Sequence, residues 1–268
     1  IPDGLGQAVK FSEGVGPQLE PVLAVADLKN LSSANAGTHL APVFETVRRV
    51  KAQLPDDVAL IGFAGAPWTV ATYMIEGGTS RDFAHTKTWA RKDPAGFEHL
   101  LALLVEATSA YLIGQVEAGA DALQLFDTWA GAVPADQFHR CVLSPTREII
   151  ANVRKVNPAV KFIGFPRGVG PAVSQYAAST GVDCVGIDSA LSPSYAAEIL
   201  QPGCAVQGNL DPMALLVGGE PMLKSAAEII QALNGGPFIF NLGHGVVPKT
   251  PPEHVEALAE FVRSGGRR

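Results

Sequence analysis

Cysteine is scarce in this chain: Cys141, Cys184 and Cys204 are three in 268 residues, far apart and set in apolar surroundings. An odd, scattered set of this kind excludes a disulfide framework and predicts buried thiols in a reducing compartment, here the cytoplasm. Long apolar runs are missing too. None approaches the roughly 18 residues that cross a bilayer; the longest are stretches such as residues 100–105, so no membrane partner is expected. Positive charge is thin. The formal net charge is −6, from 20 Lys and Arg against 26 Asp and Glu, and no basic cluster exceeds a pair or triplet. That excludes the electrostatic footprint of a nucleic-acid binder. Several catalytic signatures are also lacking. No serine sits in a G-x-S-x-G elbow, and Gly168-Val169-Gly170 and Gly243-His244-Gly245 lack the spacing of a dinucleotide-binding G-x-G-x-x-G turn. The His-x-Cys pair in His139-Arg140-Cys141 falls in a helical pattern, without the three or four converging ligands that zinc requires. No metal site and no cofactor are predicted.

What is present is core material. With 47% apolar residues the chain can bury a large core, and its length fits one α/β barrel domain over residues 1–268 better than two small domains. Its most informative stretch is Leu60-Ile61-Gly62-Phe63-Ala64-Gly65-Ala66-Pro67-Trp68-Thr69, running on to Tyr73 and Glu76-Gly77-Gly78. A buried apolar run ends abruptly there in small residues and proline, the form of a ligand-binding edge in α/β folds. Six short segments read as buried parallel strands: 58–63, 122–126, 161–165, 183–187, 204–207 and 237–241.

Between them lie amphipathic patterns. Phe97, Leu100, Leu101, Leu104, Val105, Thr108, Tyr111, Leu112 and Val116 recur at spacings of three and four, so residues 97–118 predict a long helix covering a sheet. The helix exits at Gly119, Asn157, Gly181, Gly203 and Asn234-Gly235-Gly236 supply candidate left-handed caps ahead of strands. Helix, capped turn and buried strand in repetition indicate βα units. Six strands do not close a (β/α)8 barrel, which leaves an open doubly wound sheet or a TIM-type barrel incomplete at its N-terminus. The absence of a glycine-rich phosphate turn favours the incomplete barrel.

In a barrel the residues just past each strand converge on one face. Here these are Gly65 to Thr69, Asp127-Thr128-Trp129, Pro166-Arg167-Gly168, Asp188, Gly208-Asn209-Leu210-Asp211 and Asn241 to Gly245. His244, flanked by glycines, is a candidate ligand-facing imidazole able to donate, accept or carry charge near neutral pH; the other reading is a histidine that ties down its own loop. Asp127 and Asp188 could be acids, bases or anchors, or helix N-caps, and Asp211 before Pro212 reads as a cap. Tyr73 is a pocket residue or a buried ring with a satisfied hydroxyl. Thr128 suits a carboxylate or a cap equally.

The Gly62 to Thr69 segment with Tyr73 and Glu76-Gly77-Gly78, together with Gln124-Leu125-Phe126-Asp127-Thr128-Trp129-Ala130-Gly131, Gly208-Asn209-Leu210-Asp211-Pro212 and Asn241-Leu242-Gly243-His244-Gly245, resembles the uroporphyrinogen decarboxylases along the whole chain. The resemblance implies a (β/α)8 barrel, a homodimer, and metal-free, cofactor-free removal of carbon dioxide from the four acetate side chains of uroporphyrinogen on the haem and chlorophyll pathway. It implies substrate-contacting hydroxyls at Tyr73 and Thr128, where other members carry serine at the latter position. It further implies an aromatic pocket floor at Phe126 and a histidine near the substrate carboxylates at His244. Tyr73 and His244 are the residues it marks as catalytic. It assigns nothing to Arg167.

The family's central aspartate and paired arginines fall, by the same resemblance, ahead of Ile1, in a region that would also hold the two strands lacking from the count; Asp3 belongs to the following turn and does not replace that aspartate. A polypeptide beginning at Ile1 is therefore expected to turn over little. Two rival readings remain. Cobalamin-linked methyltransferases share the barrel but carry His-x-Cys zinc ligands at a strand end where this chain has Phe165-Pro166-Arg167-Gly168. A non-catalytic tetrapyrrole-binding protein is the other.

Overall fold

The computed structural model describes residues 1–12, 16–34 and 36–266. All six strands read from the sequence are present, as β3 (Ile61–Gly65), β4 (Ala122–Asp127), β5 (Lys161–Pro166), β6 (Cys184–Gly186), β7 (Ala205–Leu210) and β8 (Phe238–Leu242). They lie in one sheet in chain order, with helices between them. This is a parallel α/β layout, the βα succession that the capped turns foreshadowed. By its internal contacts the chain divides into Ile1–Ile163 and Gly164–Arg268, and each is described in its own right.

Strand limits move relative to the expectation for physical reasons. The Val58 amide is taken by the Pro55 carbonyl at 3.0 Å, and Leu60 exchanges hydrogen bonds with Asp121, so the β3 ladder starts at Ile61. β7 runs on through Gly208, Asn209 and Leu210, which stay paired with Phe240, Asn241 and Leu242. An antiparallel hairpin, β1 (Val9–Ser12) with β2 (Gly16–Leu19), was not expected. Val9-Lys10-Phe11-Ser12 alternates over four residues only, too short a signal to stand alone, and its partner Gly16-Pro17-Gln18-Leu19 opens on glycine and proline with no alternation. Backbone bonds dock the following chain instead: Leu19 N–H to Gly77 C=O and Val22 N–H to Met74 C=O, both 2.9 Å.

Burial on both faces holds for the inner strands and fails at β3 and β8. Phe63 is 57% exposed and Ile61 42%, whereas Ala64 is buried. The buried face of β3 meets helix Pro94–Glu117, whose Gln115 amide donates to Phe63 C=O (2.9 Å) and accepts from Phe63 N–H (3.0 Å). Gly62 is required beneath it, since a Cβ there would lie 2.9 Å from Gln115 Oε1.

That helix starts earlier than its apolar stripe, because Pro94 occupies the first turn and the Asp93 carboxylate accepts from Gly96 N–H at 3.0 Å. Among the described residues it is the one helix long and apolar enough to cross a membrane, yet half of its most apolar window is buried within the protein, as in a core helix. The glycine caps are confirmed at Gly119 (φ 111°) and Gly181 (φ 85°). Asn157 is extended instead (φ −129°), the conformation that the following Pro158 imposes, and Asn234 stays near helical (φ −69°). The three thiols are free, with Cys141 and Cys184 buried and Cys204 half-buried. Burial pushes the Cys141 thiol up to about 11 and that of Cys184 to about 12.

Candidate active site

In the unit Ile1–Ile163 the site is assembled where β4 ends and helix Pro67–Glu76 begins. The helix starts at a proline, and the Ala66 amide ahead of it donates to Phe126 C=O at 2.9 Å. Its first turn then reaches the segment after β4. Thr69 Oγ1 donates to Asp127 Oδ1 (2.6 Å) and accepts from Trp129 N–H (3.0 Å), and Trp68 Nε1 donates to Trp129 C=O (2.9 Å). Two of these bonds hold the Trp129 backbone and the third holds the Asp127 side chain, so Thr128 is flanked on both sides. Asp127 is 1% exposed, and its Oδ2 is buried with no hydrogen-bond partner among the described residues. Burial pushes this carboxyl up to about 7, against the Thr69 hydroxyl and amide, which favour the charged form.

The pH dependence that follows has a definite sign. An unfolded aspartate titrates near 3.9, so between about pH 4 and pH 7 the folded chain holds a proton that the unfolded chain has lost, and rising pH erodes stability. An Asp127→Asn variant carries a side-chain amide at this position and cannot ionise there. Its stability relative to the parent should improve by about 2 to 3 kcal/mol between pH 5 and pH 8, measured by urea unfolding. A difference independent of pH would count against a buried titrating carboxyl.

Tyr73 lies on the same helix, half-buried, with its ring centroid 6.4 Å from that of Trp129. It lines a mainly apolar cleft of about 400 Å³ with Asp3, Val9, Leu19 and Val70. Asp3 is paired with His39 at 2.5 Å. Phe126 packs edge-on against Phe63 with centroids 5.8 Å apart. Thr128 is half-buried, and it does not cap the short turn Ala130–Ala132, which has no side-chain cap.

In the unit Gly164–Arg268 the organising residue is Asp188, just past β6. Its Oδ2 accepts from Gly168 N–H in the loop after β5 (2.7 Å), its Oδ1 from Ala190 N–H (2.9 Å), and its carbonyl from Asn209 Nδ2 of β7 (2.8 Å). The loop after β8 closes on the same place. Gly243 N–H donates to Leu210 C=O at 2.7 Å, and a Cβ on Gly243 would stand 2.4 Å from Ser189 N. His244 follows, exposed, with Nδ1 accepting from Gly245 N–H, so the neutral ring carries its proton on Nε2. Partial burial and the nearby Arg167 cation lower its pKa, while Asp188 opposes them.

The two aspartates left open by the sequence are therefore loop anchors and not helix caps, whereas Asp211 does cap a helix, accepting from Met213 N–H at 2.9 Å. Phe126 and Thr128 lie at the end of β4, and Tyr73, in the last turn of helix Pro67–Glu76, meets the same segment through the Trp129 ring; His244 shares its unit with Asp188 and Arg167. The strand-end rule included Trp68, Thr69 and Asn209 in its segments but gave none of them an individual role. Their bonds run from side chain to backbone or to a single distant carboxyl, and no spacing rule reveals such partners.

Among the described residues no group of three or more His, Cys, Asp or Glu side chains is placed to hold a metal ion. A parallel sheet with polar side chains carried just past the carboxyl ends of its strands is the layout of α/β enzymes of the strand-end type. The family described as "Uroporphyrinogen decarboxylase (URO-D)" matches residues 1–265. Uroporphyrinogen decarboxylase of Rhodospirillum rubrum is 47% identical over 264 residues, covering 98% of this chain and 76% of the relative. That of Mesorhizobium japonicum is 48% identical over 267 residues, covering 100% and 77%. The chain belongs to the uroporphyrinogen decarboxylase family. Among solved structures, a methyltransferase from Methanosarcina mazei superposes with a TM-score of 0.80 at 22% identity, over 98% of this chain and 76% of that one. At that identity the likeness speaks for the fold alone.

Proposed function

We propose that this protein is a carboxy-lyase that converts uroporphyrinogen to coproporphyrinogen by decarboxylating its four acetate side chains. The observation that carries this reading is the family match over residues 1–265, with relatives of that name 47% and 48% identical. Protonation of a pyrrole carbon beside the acetate-bearing position makes the ring a cation. The bond to the carboxylate then breaks, its electron pair flows into the ring, and carbon dioxide leaves an exocyclic methylene. Protonation of that methylene gives the methyl group, and loss of the added ring proton restores the pyrrole. The heterocycle is its own electron sink, so the protein's part is to orient carboxylates, exclude water and stabilise the cation.

In this scheme Tyr73 and Thr128 present hydroxyls to substrate carboxylates, Phe126 forms apolar floor, and the His244 Nε2–H faces an acidic side chain. The apolar lining beside Tyr73 supports the first assignment, and the absence of a capping role supports the one at Thr128. The same reading, on family resemblance, takes the protein as a cytoplasmic homodimer with a closed barrel, requiring neither metal nor cofactor.

The test is formation of coproporphyrinogen and carbon dioxide from uroporphyrinogen by the full-length protein. His244→Asn keeps a hydrogen-bonding side chain but cannot become cationic; kcat/KM should fall about 10- to 100-fold with the fold intact by circular dichroism. Parent-like kinetics would return His244 to loop structure, and absence of product from the parent would overturn the activity.

A further inference from the structure

Arg167 follows β5 directly and is half-buried. Among the described residues it has no ion-pair partner. Asp188, just past the next strand, makes no ion pair with it and is engaged by the backbone: its two carboxylate oxygens accept from Gly168 N–H at 2.7 Å and Ala190 N–H at 2.9 Å. The Gly168 bond belongs to the residue after Arg167, so it anchors the backbone from which the Arg167 side chain extends. The Gly243 contact with Ser189 brings the His244 loop onto the same support. The loop bearing a guanidinium without an ion pair and the loop bearing an imidazole whose Nε2–H has no partner among the described residues thus rest on one support, within electrostatic reach of each other.

We propose that Arg167 and His244 together form a carboxylate clamp, in which the guanidinium takes an acidic side chain of the tetrapyrrole by charge-assisted hydrogen bonds and Nε2–H of His244 completes the contact. Arginine suits this task because its planar donors match a carboxylate in a way lysine cannot. The inference rests on the decarboxylase reading and adds a substrate-binding residue to it. Asp188 is a positioning residue here, since it acts through the loops that bear the other two.

The experiment uses the full-length protein with uroporphyrinogen I as substrate and uroporphyrin I, an octacarboxylate, as a fluorescent binding probe. Arg167→Gln should raise KM and the probe Kd about 10- to 100-fold, a loss carried mainly by KM, with Arg167→Lys recovering part of it. By NMR the His244 ring should titrate at higher pH in Arg167→Gln, because a neighbouring cation has gone. Unchanged KM and Kd in an active Arg167→Gln enzyme would overturn the clamp and leave the decarboxylase reading standing. A parent that binds uroporphyrin I, more weakly in Arg167→Gln, but forms no product would remove that reading and keep the clamp.

Discussion

Thr69→Val should destabilise the protein by about 2 to 4 kcal/mol, since one methyl-for-hydroxyl exchange strips a buried carboxyl and a part-buried amide of their partner at once. Asp127 Oδ1 loses a donor at 2.6 Å, and Trp129 N–H loses its acceptor at 3.0 Å. Valine nearly matches threonine in volume, so the loss reads the hydrogen bonds and not a cavity. The deficit should be larger at pH 8 than at pH 5, because the hydroxyl helps to keep the Asp127 carboxyl charged despite its burial. Thr69→Ser, which retains the oxygen, should recover most of the stability in urea unfolding. Equal losses in the two variants would show that Thr69 matters for packing alone. Since the segment being held contains Thr128, activity should fall with stability in the valine variant.

Gly243→Ala should lower kcat/KM by about 100-fold or more, the scale expected when a group near the reaction is displaced by about 1 Å. The added Cβ would stand 2.4 Å from Ser189 N and 2.9 Å from Ser189 Cα. Both are main-chain atoms next to Asp188, itself tied at three points, so the β8 loop must move and His244 moves with it. Gly235→Ala serves as the comparison, because a Cβ there meets nothing within 4 Å and should leave the kinetics unchanged. Steady-state kinetics with thermal unfolding would separate a displaced loop from an unfolded protein. Full activity in Gly243→Ala would mean that the His244 loop tolerates movement, or that His244 contributes nothing.

The sheet was legible because buried parallel strands write themselves as short apolar runs between turn residues. All six such runs became strands, with ends displaced where a turn took an amide, as at Val58, or where pairing continued, as at Asn209. The hairpin β1–β2 was not legible, since its ladder is sequence-independent backbone, the alternation of Val9 to Ser12 spans only four residues, and Gly16-Pro17 opens the partner strand. The strand-end rule picked out Asp127, Arg167, Asp188 and His244 as candidates without telling which would act as anchors. That distinction lives in partners: Thr69 lies 58 positions from Asp127, and Gly168 lies 20 positions from Asp188. A carboxyl committed to a distant backbone amide looks, in sequence, the same as one free to meet a ligand.

The convergence on Asp188 and Ser189 bears on motion. Loops from β5 and β8, and the end of β7, all contact these two neighbours, so a shift of Asp188 or Ser189 would be felt by all three. Hydrogen exchange at Gly168, Ala190 and Gly243 should therefore slow together when a ligand steadies any one of these loops.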